Sequence, residues 1–317
     1  MRRRDLIAIL GAAALSRRAA AEAGSTPVVG LLCFANVEES KRDVVKPVIA
    51  ALAEAGLVVG RDVRLEIRYA ETRFERVPAL AADLVSGRPG VIVTGGGNLP
   101  VEAAMKATTT IPIVFVSGGD PVADHIVESF NHPGGNVTGV AVRVAELGAK
   151  RLQLFHDLVP SARSIGLLTR PGAVEEDLAP AAAKLGLTLH VVNAAGSQDF
   201  DRSFAEFAAL HVDAVMLSAL LGTAQNAAAA AAHGLPTFHT FPFEADAGGL
   251  ASYGPDLASA FRVAGGYAAR ILKGDRPADL PVVQSDRFAF IINLKTAKAL
   301  NVEIPSTVLA RADEVIE

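Results

Sequence analysis

Residues 111–121 read IPIVFVSGGDP. From Ile111 to Val116 every residue is apolar or proline, and most are β-branched. The run is continuous rather than alternating, the mark of a strand covered on both faces. At Ser117 the chain turns at once into Gly118, Gly119, Asp120 and Pro121. A buried strand that ends in a small, polar loop with one carboxylate is the pattern from which the fold is read.

Working outward, strands and helices alternate. Strands are expected at 28–34 (VVGLLCF), 64–69 (RLEIRY), 90–93 and 111–116, with helices between them at 38–56, 74–85 and 100–108. Helical spacing of Val44, Val48, Ile49 and Leu52 supports the first helix, and Gly56 closes it. Near Ile165 the cycle restarts. SIGLL at 164–168 mirrors the first strand, LTLHVV at 187–192 mirrors RLEIRY, DAVMLS at 213–218 mirrors the third strand, and LPTFHTF at 235–241 mirrors IPIVFV. Helices are expected at 175–185, 200–210 and 224–233, the last with six consecutive alanines. Ile92 and Val215 hold matching places, as do Ile111 and Leu235. Strands joined by crossover helices form parallel sheets. The fold class expected is α/β, with two Rossmann-like lobes, each a parallel sheet flanked by helices. Ligands of such sheets bind beyond the carboxyl ends of the strands. Five loops at such ends qualify: Ala35-Asn36, 95–98 (GGGN), 117–120 (SGGD), Ser218-Ala219 and 241–244 (FPFE). Gly and Asp are also ordinary turn residues, so it is their recurrence in both halves that points to a shared cleft.

Composition narrows the function. The chain has 317 residues, 50% hydrophobic and 5% aromatic, without Trp, and carries net charge −4. No cluster of Lys and Arg suggests nucleic-acid binding. One cysteine, Cys33, excludes an intramolecular disulfide, and its place inside an apolar strand suggests an inert thiol. The seven histidines show no metal-binding spacing, and no cofactor is expected. No G-x-x-x-x-G-K-[ST] or G-x-S-x-G occurs, and Gly95-Gly96-Gly97 has Pro100 where a dinucleotide fingerprint needs its third glycine. The first 23 residues read as an export signal. Arg2, Arg3 and Arg4 precede an apolar stretch from Leu6 to Leu15, and Ala21-Glu22-Ala23 fits an A-x-A cleavage rule. The paired arginines suggest the twin-arginine route. An acidic, exported protein whose mature chain does not insert in a membrane is expected.

The stretch IPIVFVSGGDPVADHIVESFNHPGGNVTGV (111–140) closely resembles ABC-transporter substrate-binding proteins of the family that includes tryptophan- and tyrosine-binding lipoproteins. RFERVPALAADLV (73–85), ELGAKRLQLFHDLVP (146–160), AGGLASYG (247–254) and INLKTAKALNVEIPSTVLARADEVIE (292–317) agree, in order, over nearly the whole mature chain. The resemblance implies a type I periplasmic-binding fold. It also implies a small-molecule ligand, a permease driven by a separate ATPase, a periplasmic monomer and no catalysis. Lobe one is expected at 27–138 with 252–275, and lobe two at 139–251 with 276–317. Phe34, Ala35 and Asn36 would face the cleft. Gly96, Gly97 and Asn98 would offer N–H groups to a carboxylate, beside Ser117. Asp120 would accept from a ligand ammonium or cap a helix beginning near Pro121. Asn136 and Thr138 would lie where the chain leaves lobe one. Ser218, Ala219, Phe241 and Glu244 would close from lobe two, and Tyr253 would be a hinge wedge or a ligand contact. The sequence departs from the family pattern in two places. Asp124, His125 and Ile126 replace the usual Gly-Leu after D-P-V-x. LSALLG (217–222) is more apolar than the usual loop, which suggests an amino acid with an apolar or aromatic side chain. Without Trp, stacking would come from Phe34, Phe241, Phe243 or Tyr253. There is no lipobox cysteine before the expected mature start, so a free protein is expected. Two alternatives stay open: a sensor presenting its ligand to a signalling receptor, and an α/β enzyme.

Overall fold

Strand β1 (Val28–Cys33) is buried at every residue, as its unbroken apolar run requires. It is the first of thirteen strands among the residues described by the computed structural model, 26–317 without 143, 145–146, 173–176, 220 and 222–223. The expected export signal at 1–23 lies outside those residues. The first half continues with β2 (Arg64–Tyr69), β3 (Val91–Gly95), β4 (Ile113–Ser117) and β5 (Val137–Ala141). The second half supplies β6 (Ser164–Thr169), β7 (Thr188–Asn193), β8 (Ala214–Leu217), β9 (Thr237–His239) and β10 (Ala251–Pro255). Three more follow: β11 (Val283–Gln284), β12 (Phe288–Asn293) and β13 (Glu314–Ile316).

The strands form two sheets, ordered β11-β5-β4-β3-β1-β2 and β13-β12-β10-β9-β8-β6-β7. All pairs in the first sheet are parallel. In the second only β10–β12 runs antiparallel. The repeat seen in the sequence is therefore spatial: β4-β3-β1-β2 in one sheet matches β9-β8-β6-β7 in the other. Each sheet has two apolar faces. Leu31 packs with Val48, Leu52 and Val93 on one side of the first sheet, while Leu32 meets Leu84 and Ala103 on the other. Leu167 and Leu168 divide in the same way, toward Phe155 and Phe238 or toward Phe204 and Phe207.

Sheet membership moves the boundaries expected from sequence. Residue 139 lies inside β5, which pairs with β4, so the first lobe runs on through Ala141. Residues 252–255 belong to β10 and the second sheet, and only the helix that follows, Leu257–Leu272, returns to the first. Segment 276–284 also stays with the first sheet, because β11 pairs with β5 and Thr138 Oγ1 donates to Leu280 O at 2.6 Å. Only β12 and β13 then rejoin the second sheet. The chain thus passes between lobes three times, and backbone bonds tie the passages together. Ser285 N donates to Ala141 O at 2.9 Å, and Asp256 N to Arg287 O at 3.1 Å.

Local chemistry also reshapes the first helix. It begins as Val37–Ser40, passes through a π-helical turn at Lys41–Val45, and resumes as Lys46–Glu54. Such π turns are often found at functional sites. Helix Leu257–Leu272 follows a second-sheet strand yet buries Ala260, Phe261, Ala264 and Ala268 in the first-lobe core. Phe261→Ala should therefore lower stability by about 3–4 kcal/mol, the usual cost of emptying a buried phenylalanine site. Urea unfolding would measure it, and a loss below about 1 kcal/mol would show that this helix is not part of that core.

Candidate functional site

Parallel pairing puts the carboxyl ends of β1, β3 and β4 on one edge of the first sheet, and those of β6, β8 and β9 on one edge of the second. Side chains reach across between these edges. Arg42, in the π turn beyond β1, lies 3.4 Å from Asp246 and over the Phe243 ring at 5.5 Å, both on the short helix that follows β9. Arg170, just beyond β6, lies over the ring of first-lobe Phe74 at 4.1 Å. Phe74 in turn meets Phe34 with centroids 4.4 Å apart. The two edges therefore face each other and meet at these contacts, with the Phe34–Phe74 pair at one of them.

Phe34 is held by backbone geometry. Gly96 stands at φ +106°, and a methyl there would overlap Phe34 Cβ. Only glycine permits both the left-handed backbone and this approach. Gly97, at φ +91°, precedes helix Asn98–Ala107 and provides no side-chain cap. The first-turn N–H groups of a helix have no intrahelical partner; here Asn98 and Leu99 carry them, while Pro100 has none. Asn36 caps its own helix, its Oδ1 accepting from Glu39 N at 3.0 Å, and Ala35 beside it is half-buried. Ser117 Oγ donates to Asn98 Oδ1, and Asn98 Nδ2 donates to Asp124 Oδ2 at 2.6 Å. The structure thus gathers Phe34, Ala35, Asn36, Gly96, Gly97, Asn98 and Ser117 on one edge. Asp124 joins them, and sequence reasoning had noted it only as a departure from the family.

Asp120 caps the chain beyond it, although residues 121–125 form turns where a helix was expected. Its Oδ1 accepts from Val122 N at 2.9 Å and Ala123 N at 3.2 Å. Asn136 and Thr138 are corrections. Asn136 precedes β5 and donates to Ile111 O at 2.7 Å, at the amino end of the sheet, opposite the cleft. Thr138 is fully buried and serves β5–β11 packing through Leu280. A parallel strand offers only its carboxyl end, and both residues lie at the start of theirs.

On the second lobe, Ser218 and Ala219 follow β8, and Ser218 N donates to Leu168 O at 2.9 Å. Phe241 is half-buried and stacks on Phe243 at 5.7 Å. Tyr253 stacks on Phe288 at 6.0 Å within the second sheet, on the paired strands β10 and β12, and packs against the second-lobe core. Glu244 is a further correction. It is 1% exposed, and its Oε2 accepts from Thr240 N at 2.9 Å and Phe241 N at 2.8 Å. It supports the loop from beneath. Burial pushes its carboxyl up to about 7, with a smaller push from Glu39 of the first lobe, against the backbone bonds and nearby Arg151. His239 Nδ1 lies 3.8 Å away, but burial, aided by Arg151, lowers that ring to about 3, so it is neutral and the contact is not an ion pair.

Phe74, Arg42, Arg151 and Arg170 were not identified from sequence. For Arg170 a signal existed: it stands directly after the first strand of its repeat, as Phe34 does. Cys33 is buried and its thiol is pushed up to about 12, as an inert thiol requires. Among the described residues no group of His, Cys, Asp and Glu could hold a metal, and no helix is long and apolar enough to cross a membrane.

The family described as "ABC transporter substrate binding protein" matches residues 33–316. A tyrosine-binding protein of Clostridioides difficile is 26% identical over 266 residues, covering 81% of this chain and 76% of that protein. A conserved domain protein of Vibrio cholerae superposes with TM-score 0.81 at 26% identity, covering 92% of this chain and all of the other. A Streptococcus structure described as an ABC domain in complex with L-Trp gives TM-score 0.80 at 24% identity, with the same coverage.

The Glu244 environment predicts a pH dependence. Below about pH 4.5 the carboxyl is protonated both folded and unfolded. As pH rises toward 7 the unfolded chain ionises first, and stability is lost, up to about 3 kcal/mol. Glu244→Gln lacks this titration. Urea unfolding at pH 5 and pH 8 should show the wild type losing ground to the variant by roughly 2 kcal/mol. Parallel pH profiles would mean that Glu244 is ionised throughout.

Proposed function

The chain belongs to the ABC transporter substrate-binding protein family, and on that premise we propose that it is the periplasmic receptor of an importer. It binds one small molecule between its lobes and releases it, unaltered, to a permease driven by a separate ATPase. It acts as a monomer after removal of its export signal. As a member of this family it is a binding protein and not an enzyme.

The ligand proposed is an amino acid with an apolar or aromatic side chain. The Phe34–Phe74 wall supports this reading most directly. Buried Phe34 and half-buried Phe74 place an apolar pair beside the uncapped start of helix Asn98–Ala107. One end of the cleft thus suits a ring, and the adjacent end suits a carboxylate. Relatives described as binding tyrosine or L-Trp agree in chemistry. Asn98 and Ser117 position the polar head, Phe241 and Ala219 cover the side chain, and Tyr253 steadies the hinge.

Protein stripped by unfolding and refolding would be tested by thermal shift against all amino acids, simple carboxylates, purines and sugars. At 100 times its Kd a ligand adds about 2.7 kcal/mol, which means several degrees. L-Tryptophan or L-tyrosine should give such a shift and be recovered unchanged. Asn98→Ala should weaken that binding about tenfold or more, the scale of one lost polar contact. A shift from sugars or purines alone would discard the amino-acid reading. A compound returned chemically altered would discard the receptor.

A further inference from the structure

Phe34 and Arg170 are the first residues beyond β1 and β6, the matching first strands of the two sheets. The fold thus puts one at each wall of the cleft, and their chemistry differs completely. Arg170 is half-buried, with its guanidinium carbon 4.1 Å from the Phe74 centroid. No carboxylate among the described residues pairs with it. The contrast with its neighbours is clear: Arg42 pairs with Asp43 at 2.8 Å, and Arg76 with Glu71 at 2.5 Å. The chain has 34 acidic residues against 30 basic, so counter-ions are not scarce. A half-buried guanidinium without an anion loses solvation and gains little in return. The ring contact returns about 0.5–1 kcal/mol at a partly exposed site. What would complete the arrangement is a planar anion, which the guanidinium fork binds through two parallel N–H bonds.

We infer that Arg170 is the anion receptor of the cleft, gripping the carboxylate of the bound molecule from the second lobe while the Phe34–Phe74 pair packs its apolar body. This assignment rests on the cleft being the amino-acid site proposed above, and it names the side chain that selects an acid over the corresponding amine. A carboxylate has two oxygens and about four lone-pair sites. It can accept from Arg170 and from the first-turn N–H groups beyond Gly97 together. The anion itself then becomes the tie between the lobes, and Phe74 aims the guanidinium.

The test is calorimetric titration of the full protein, stripped of ligand, with L-tryptophan and tryptamine and with L-tyrosine and tyramine. Wild type should prefer the amino acid to its amine by about 100-fold, the scale of a bidentate charged contact. Arg170→Met should lose that preference: the amino acid weakens by roughly 30-fold or more while the amine changes by less than about threefold. Arg170→Lys should fall between. Phe74→Leu should weaken acid and amine alike. Arg170 is half-exposed, so the ligand-free variants should melt within a few degrees of wild type. If Arg170→Met binds the amino acid within about threefold of wild type, or weakens acid and amine equally, Arg170 is not the receptor although the cleft still binds amino acids. Wild type that binds neither amino acid overturns the amino-acid reading, and this assignment with it.

Discussion

Parallel strand pairing is the constraint on which the rest of the structure depends. A chain that has run up one parallel strand must return outside the sheet before it can add the next, and a helix is the economical return. Every strand of the first sheet therefore ends on the same edge, and every returning helix covers a face. Two consequences follow together. The strands become continuous apolar runs, and the loops at their carboxyl ends are collected into one strip. The chain builds this twice, and three passages bound together at Ala141–Ser285 and Asp256–Arg287 set the strips face to face.

Magnitudes suggest how such a cleft works. The direct ties across it are weak: a partly exposed Arg42–Asp246 pair gives about 0–1 kcal/mol, and each arginine–ring contact about as much. The two lobe cores, by contrast, contain dozens of fully buried side chains. The lobes are thus far more stable than their closure. A bound molecule that contacts both walls can add enough to decide whether the cleft stays shut. Glu244 belongs to the stable side of this division. Its bonds to Thr240 and Phe241 stiffen the second-lobe loop, so that Phe241 and Phe243 meet the first lobe as a fixed surface.

The tandem halves were legible in the sequence because doubly covered strands have to be apolar throughout, as VVGLLC and IVFVS are. The fifth strand of each half was not. β5 carries Gly139 at its centre, a residue that weakens strand propensity, and the reason for it is tertiary: a methyl there would run into the backbone of Phe115 on β4. Positions on the facing edge were legible where a strand end and a glycine loop coincide, as at Gly96, Gly97 and Asn98. They were misplaced where sequence shows polarity but not direction. Asn136 and Thr138 sit at the start of a strand, and Glu244 turns inward to its own backbone. Phe74 and Arg170 are far apart in sequence, and only the approach of the lobes gives either one its meaning.

That approach also shows how a duplicated architecture comes to present two unlike walls. β1 and β6 share a Gly-Leu-Leu core and the same place in their sheets, so the fold delivers the residue after each to an equivalent point. What it delivers is not equivalent: a phenyl ring from one half and a guanidinium from the other, with Phe74 in contact with both. Phe34 also belongs to a buried first-lobe cluster with Leu32, Val77 and Ala81. The backbone repeat therefore fixes where the two facing edges stand, while on the reading proposed above these two positions decide which end of a molecule each would receive.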